Sequence, residues 1–115
     1  YISEQLKKQR DQLPPGGQLH IVFGMVNDKD VSTVLSLLPT DAKYYFTKAS
    51  TKRALDEKEL AVKALSYNLK GKCFSTVSEA YEAACSMANT TDFIFVGGST
   101  YIVADLFSFL GKPTR

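Results

Sequence analysis

Hydrophobic residues cluster in four short runs along the chain, and segments with helical spacing of apolar residues separate them. The runs cover residues 20–25, 42–47, 72–75 and 92–96. Strands that alternate with helices of about 10 to 15 residues indicate βαβ units and a parallel sheet. The pattern therefore predicts an α/β, three-layer, Rossmann-like domain with a mainly parallel sheet.

Helix start signals support this division of the chain. Asp56 with Glu59 and Thr76 with Glu79 have the spacing of a capping box, and apolar residues at helical spacing follow each pair. The opening segment also has helical spacing and ends at the Pro-Pro-Gly-Gly of residues 14–17. Val31, Val34, Leu35 and Leu38 also follow helical spacing, before Pro39 ends that helix. A predicted helix therefore precedes each predicted strand.

The strand order follows from composition and handedness. Runs 20–25 and 92–96 are almost continuously apolar, as expected of strands covered on both faces. Right-handed crossovers favour the order fourth, first, second, third. That order leaves run 92–96 at an exposed edge, which natural proteins avoid. We therefore predict that residues 1–115 form a domain truncated at its N-terminal side, with at least one strand missing beside run 92–96.

Composition favours a single globular domain and argues against a protein that binds nucleic acids or membranes. The chain has 115 residues, 44% of them hydrophobic, which suits one globular domain. A net charge of +2 argues against a nucleic-acid surface or a polybasic membrane surface. Cys73 and Cys85 form no CxxC pair and are predicted to be free, buried thiols. Free thiols suit a reducing compartment such as the cytoplasm.

Ligands of open α/β sheets lie beyond the carboxyl ends of the strands, where the winding direction reverses. Here that crevice falls between residues 24–30 and 97–100. Gly97 and Gly98 would let the backbone approach a ligand, and Ser99 could present a hydroxyl and N–H groups to an anion. A plain tight turn with a serine cap explains the same residues equally well.

Charged residues at the same predicted edge allow two interpretations. Lys29 could meet a phosphate or carboxylate, but a solvated helix start, with Asp30 favourable to the helix dipole, is the simpler explanation. Arg53, in the loop after the second strand, suits bidentate carboxylate recognition, although most loop arginines are merely exposed. The single histidine, His20, is at the amino end of its strand and is interpreted as structural.

Several catalytic signatures are absent from the sequence. It contains neither a G-x-x-x-x-G-K-[ST] phosphate loop nor a G-x-G-x-x-G motif. It has no Ser/His/Asp set and no cluster with metal-ligand spacing. We therefore expect no catalytic residue and no metal site in this chain, which alone could not activate ATP.

Three long segments resemble the C-terminal domain of the folylpolyglutamate synthase/dihydrofolate synthase family, which is related to the Mur peptide ligases. The segments are HIVFGMVNDKDVSTVLSLLP, FTKASTKRALDEKEL and DFIFVGGSTYIVADLF, and they cover nearly the whole chain in order. The most specific parts are FGMVNDKD, KRAL and GGSTYIVADL, which is similar to the family's G-S-[LF]-Y-x-[VA] motif. The family's D-x-x-H-N motif is not in this chain, which the resemblance places just after it.

The resemblance implies an ATP-dependent ligase that adds L-glutamate to dihydropteroate or to folates through an acyl phosphate. ATP and Mg would be bound mainly by an N-terminal ATPase domain of the same protein, and this C-terminal domain would bind glutamate. The implied enzyme is cytoplasmic, with no nucleic-acid or membrane partner. The fragment alone would be inactive.

Carried over by position, Ser99 and Gly98 match the serine and glycine of the G-S motif and become substrate-binding candidates. Lys29 and Asp30 match the family's D-K-D segment on the nucleotide side of the cleft. Arg53 matches an arginine that follows a proline in many relatives, and a lysine replaces that proline here.

Two alternatives stay open. One is the corresponding domain of another Mur-type amide ligase; GGSTY and the lack of a G-K-G-H-E-like ending favour the folate enzymes. The other is a non-catalytic module that binds an anion or a nucleotide, which would be favoured if the gene began near Tyr1.

Overall fold

The computed structural model describes residues 2–26, 31–98 and 100–111 of the chain. Helices and strands alternate along these residues, as the apolar runs predicted. The helices are α1 (Ile2–Gln12), α2 (Val31–Leu37), α3 (Glu57–Leu65), α4 (Val77–Met87) and α5 (Thr100–Leu110), and the strands are β1 (Leu19–Phe23), β2 (Lys43–Phe46), β3 (Gly71–Cys73) and β4 (Phe93–Gly97).

The strands form one parallel sheet in the order β3-β2-β1-β4. This is the predicted order, read from the opposite edge, and the prediction is confirmed. Its cause is the handedness of the crossovers: α2 and α3 step outward on one face, and α4 returns on the other face to place β4 beside β1.

Alternating side chains of the strands build a core on each face of the sheet. Ile21 and Phe23 pack with apolar side chains of α1, α2 and α3, whereas Val22 packs with α4. A third cluster joins Val77 of α4 to Ile102 of α5. The result is the predicted three-layer arrangement, with the sheet between two helical layers.

The predicted caps are present. Asp56 accepts hydrogen bonds from the backbone N–H groups of Lys58 and Glu59 at the start of α3, and Thr76 accepts one from Glu79 at the start of α4. Each cap satisfies donors that have no partner within the helix. In the described part of the chain, none of the helices has the length and apolar character that crossing a membrane demands.

The open edge of β4 was predicted, and Phe93 is 36% exposed because, within the described residues, only β1 pairs with this strand. The burial predicted for the two cysteines was wrong. Cys73 and Cys85 are free, as predicted, but both are exposed. Cys73 ends an edge strand whose residues are all exposed, and Cys85 lies on the solvent side of α4, so neither thiol faces a core.

A buried polar network closes the amino end of the sheet. Nε2 of His20 lies 2.7 Å from Oδ2 of Asp92, and Nδ1 lies 2.8 Å from the hydroxyl of Tyr45. Asp92 also accepts from the backbone N–H groups of Asn89 and Gln18, and these bonds, with that of His20, lower the pKa of Asp92 to about 2. Because the carboxyl group of Asp92 is ionised, it accepts a hydrogen bond from the Nε2–H group.

Candidate functional site

The two glycine-bearing segments meet at the carboxyl ends of β1 and β4. Phe23 pairs with Gly97 in register, and the N–H of Gly24 donates to the carbonyl of Gly97 at 3.3 Å. Gly98 follows directly and lies against the backbone of Gly24. The crevice predicted from the winding of the sheet is therefore bordered by adjacent segments.

The fold itself explains why residue 98 is glycine. Its φ of +108° lies in a region that L side chains rarely adopt, and a Cβ there would lie 2.2 Å from the carbonyl oxygen of Gly24. Gly24 is equally confined, since a Cβ would lie 2.5 Å from the carbonyl oxygen of Thr47 and 2.6 Å from Cδ1 of Ile102. The close approach that the sequence suggested for a ligand is made here by the end of β1.

Arg53 lies in a loop whose far end is anchored to the segment after β1. Ala54 forms an antiparallel bridge with Val26, and the N–H of Leu55 donates to the carbonyl of Met25 at 2.8 Å. Arg53 itself is exposed, within a turn closed by a hydrogen bond from Ala54 to the carbonyl of residue 51. The backbone of Arg53 is thus held beside the end of β1, and its side chain faces solvent.

The near end of that loop is fastened to α5. Asp105 accepts the N–H of Ser50 at 2.7 Å and its hydroxyl at 2.9 Å. The neighbouring Ala49 is buried against Val77 and Ile102. Sequence reasoning missed this pair because its members are 55 positions apart, and the resemblance that covers both segments assigned no role to either residue.

The structure describes only some of the site residues that the sequence predicted. Gly98 and Arg53 are described, and each lies at the carboxyl edge of the sheet. Ser99, Lys29 and Asp30 lie outside the described residues. The hydroxyl of Thr47, also missed by sequence reasoning, is buried at the end of β2 and has no hydrogen-bond partner among the residues that the structure describes.

Titratable groups near this edge suit binding more than nucleophilic chemistry. Partial desolvation of its sulfur by neighbouring protein atoms, followed by the negative charge of Glu57, raises the pKa of the Cys73 thiol, so it stays protonated and weakly nucleophilic at neutral pH. Within residues 2–26, 31–98 and 100–111, no three His, Cys, Asp or Glu side chains gather as a metal ion would require. The described edge therefore offers backbone donors, hydroxyl groups and one exposed guanidinium.

Known proteins resemble this chain in sequence and in fold. It is 31% identical over 109 residues to the dihydrofolate synthase/folylpolyglutamate synthase of Buchnera aphidicola. This alignment covers 94% of this chain and 25% of the relative. The structure of Escherichia coli FolC in complex with DHPP and ADP covers 94% of this chain and 25% of its own, with 28% identity and a TM-score of 0.77.

A bifunctional folylpolyglutamate synthase/dihydrofolate synthase with Mn, AMPPNP and L-glutamate bound matches at 27% identity and a TM-score of 0.80, over 96% of this chain and 26% of that one. The chain thus spans about a quarter of the length of these relatives. The profile of the Mur ligase, glutamate ligase domain family matches residues 3–100. Because the match covers far more than half of this chain, the chain belongs to the Mur ligase, glutamate ligase domain family.

Proposed function

We propose that this chain is the C-terminal, glutamate-binding domain of a cytoplasmic, ATP-dependent folate ligase. The observation that carries the proposal is the meeting of three segments at one sheet edge: the end of β1, the Gly97-Gly98 turn and the loop of Arg53. Membership in the glutamate ligase domain family and similarity to folylpolyglutamate/dihydrofolate synthases support it.

The reaction joins a carboxyl group of dihydropteroate or a folate to the amine of L-glutamate. The γ-phosphoryl group of ATP is transferred to the carboxylate, which gives an acyl phosphate and ADP. The glutamate nitrogen then attacks the acyl carbon, the bond to the phosphate oxygen breaks, and inorganic phosphate and a proton leave. This domain's task is to orient the amino acid for that attack, and correct positioning alone lowers such barriers strongly.

In this proposal, different residues of the chain bind glutamate and face the nucleotide. The guanidinium of Arg53 would bind a carboxylate of glutamate, with Ser99 as a hydroxyl donor beside Gly98. Lys29 and Asp30 would lie toward the nucleotide, and Mg²⁺ and most of ATP would be held by the N-terminal ATPase domain. Mg²⁺ neutralises phosphate charge when bound.

We also propose that the domain continues upstream with a strand that pairs with the open edge of β4. A groove of about 470 Å³ between α1 and β4, lined by Leu6 and Phe95 among others, runs along that edge. Natural proteins avoid leaving an apolar strand edge open, and a further strand is one way to cover it. Sequencing upstream of Tyr1 tests the proposal: a strand pattern behind a G-K-[ST] loop supports it, and a start codon near Tyr1 favours a non-catalytic binding module.

The purified 115-residue chain is expected to show no detectable ATP-dependent incorporation of radiolabelled glutamate into dihydropteroate or tetrahydrofolate. The reason is that the groups that would hold ATP and Mg²⁺ are proposed to lie on another domain. The full-length protein from the same gene, assayed in parallel, serves as the positive control. Turnover by the purified chain alone would refute this division of labour.

Ser99→Ala in the full-length protein is expected to raise the KM for glutamate about tenfold, since a hydrogen bond to a charged group contributes about 1.5 kcal/mol. Steady-state kinetics with glutamate, ATP and folate varied in turn provide the measurement. Ser86→Ala, at an exposed serine near the end of α4, is the matched control. An unchanged KM and kcat for Ser99→Ala would remove the assignment.

A further inference from the structure

The loop that carries Arg53 is attached at one end to the segment after β1 and at the other end to helix α5. Its far end is bound to the segment after β1 through Ala54 and Leu55. Its near end is bound to α5 by Asp105, whose two carboxylate oxygens accept the N–H and the hydroxyl of Ser50. Only a short turn separates Ser50 from Arg53, so the backbone of Arg53 is confined by both attachments.

The Asp105 attachment joins two walls of the crevice. Helix α5 begins directly after the Gly97-Gly98 turn, and Asp105 is on its second turn. Ile102, one turn earlier, packs against both Ala49 and the end of β1 at Gly24. The carboxylate therefore fastens the loop to the same helix that continues from the glycine turn.

We propose that Asp105 is a positioning residue that acts through Ser50 to hold Arg53 at the distance from the glycine turn that a bound glutamate requires. This inference rests on the proposed function, in which Arg53 binds a carboxylate of glutamate. Asp105 itself contacts no substrate. Its carboxylate uses both oxygens on Ser50, and its contribution is the reduced freedom of the loop before glutamate binds. A loop whose backbone is already ordered loses less conformational freedom when glutamate binds.

The two hydrogen bonds between Asp105 and Ser50 allow the positioning role of Asp105 to be tested separately from the effect of its negative charge. An asparagine at position 105 can still accept the N–H of Ser50 with its oxygen and can donate its amide to the hydroxyl oxygen of Ser50. An alanine can do neither. Positioning predicts that asparagine preserves function and alanine does not, whereas a direct electrostatic contribution predicts that both variants fail.

The test measures steady-state kinetics of the full-length protein from this gene. Asp105→Ala is expected to raise the KM for glutamate five- to tenfold, with kcat and the KM for ATP changed less than twofold, and Asp105→Asn is expected to stay within twofold of the parent. In the Arg53→Ala background, Asp105→Ala is expected to add less than twofold, because its effect passes through the missing guanidinium. Ser108→Ala, at an exposed serine of α5, is the matched control.

The outcomes separate the two hypotheses. If Arg53→Ala leaves the KM for glutamate unchanged, the role of Arg53 in the proposed function fails, and the inference fails with it. If Arg53→Ala raises this KM but Asp105→Ala does not, or if the two effects multiply in the double variant, the inference alone fails. Equal losses in Asp105→Ala and Asp105→Asn also overturn it.

A second measurement does not depend on activity. Amide hydrogen exchange of the 115-residue chain is expected to show the Ser50 N–H at least tenfold less protected in Asp105→Ala than in the parent, with protection restored in Asp105→Asn. Protection of Val22, in the middle of β1, reports whether the fold is intact. Equal protection of Ser50 in the parent and in Asp105→Ala would show that the attachment does not hold the loop in solution.

Discussion

Replacing Gly98 by alanine is expected to lower the free energy of unfolding of the chain by about 3 kcal/mol or more, enough to leave a domain of this size marginal or unfolded. Two causes add. The φ of +108° disfavours any L side chain, and the new Cβ would lie 2.2 Å from the carbonyl oxygen of Gly24. Backbone cannot move aside as a side-chain tip can, so the ends of β1 and β4 would have to separate.

Gly16→Ala is the matched control for this effect. Gly16 also has a positive φ, +83°, but a Cβ there would have nothing within 4 Å. Its substitution should therefore cost only the backbone strain, about 1 kcal/mol. Urea denaturation of both variants gives the comparison. Equal losses in the two variants would mean that the contact between Gly98 and Gly24 contributes nothing to stability.

His20→Ala is expected to destabilise the chain by about 3 kcal/mol. The substitution removes a fully buried ring and leaves the hydroxyl of Tyr45 and one oxygen of Asp92 without their partner. Tyr45→Phe, which keeps the ring and loses only the hydroxyl, is expected to cost about 1 kcal/mol. Urea denaturation at pH 7 measures both, and a loss below that of Tyr45→Phe would contradict the network's role.

The same network predicts a change of stability in acid. The folded chain holds the pKa of Asp92 at about 2, against an ordinary value of 3.8. Between these values the unfolded chain takes up a proton that the folded chain does not, so this stabilisation is present above pH 3.8 and is lost as the pH falls toward 2. Denaturation midpoints should therefore fall less steeply in Asp92→Asn than in the parent. Glu82→Gln, at an exposed carboxylate of α4, is the control.

The strand order could be predicted from the sequence because it depends on local features. The apolar runs mark the strands, and the handedness of each crossover then decides where the next strand goes. The caps at Asp56 and Thr76 are local in the same sense, since donor and acceptor lie within three positions. Apolar runs and capping residues can be recognised in a single sequence before any contact between distant residues is known.

The functional edge was only partly predictable, because its contacts are distant in sequence. The glycine turn signalled a close approach, yet nothing in the pattern said that the approaching group would be the carbonyl of Gly24. The bonds between Asp105 and Ser50 and between His20 and Asp92 span 55 and 72 positions. The burial of the cysteines was mispredicted for a related reason: apolar neighbours in sequence do not reveal which way a side chain points, either from the edge strand of Cys73 or from helix α4, which carries Cys85.

The His20 network and the crevice of Gly98 lie at opposite ends of the same strands. Strand β1 has five residues, which separates the two ends by about 16 Å. Engineering can therefore treat them as independent: substitutions around Tyr45 and Asp92 can be selected for thermal tolerance, while substitutions around the crevice can be selected for a different amino-acid acceptor. Val96 packs against both the cluster of Tyr45 and the cluster of Ile102, so libraries that leave Val96 unchanged should combine close to additively.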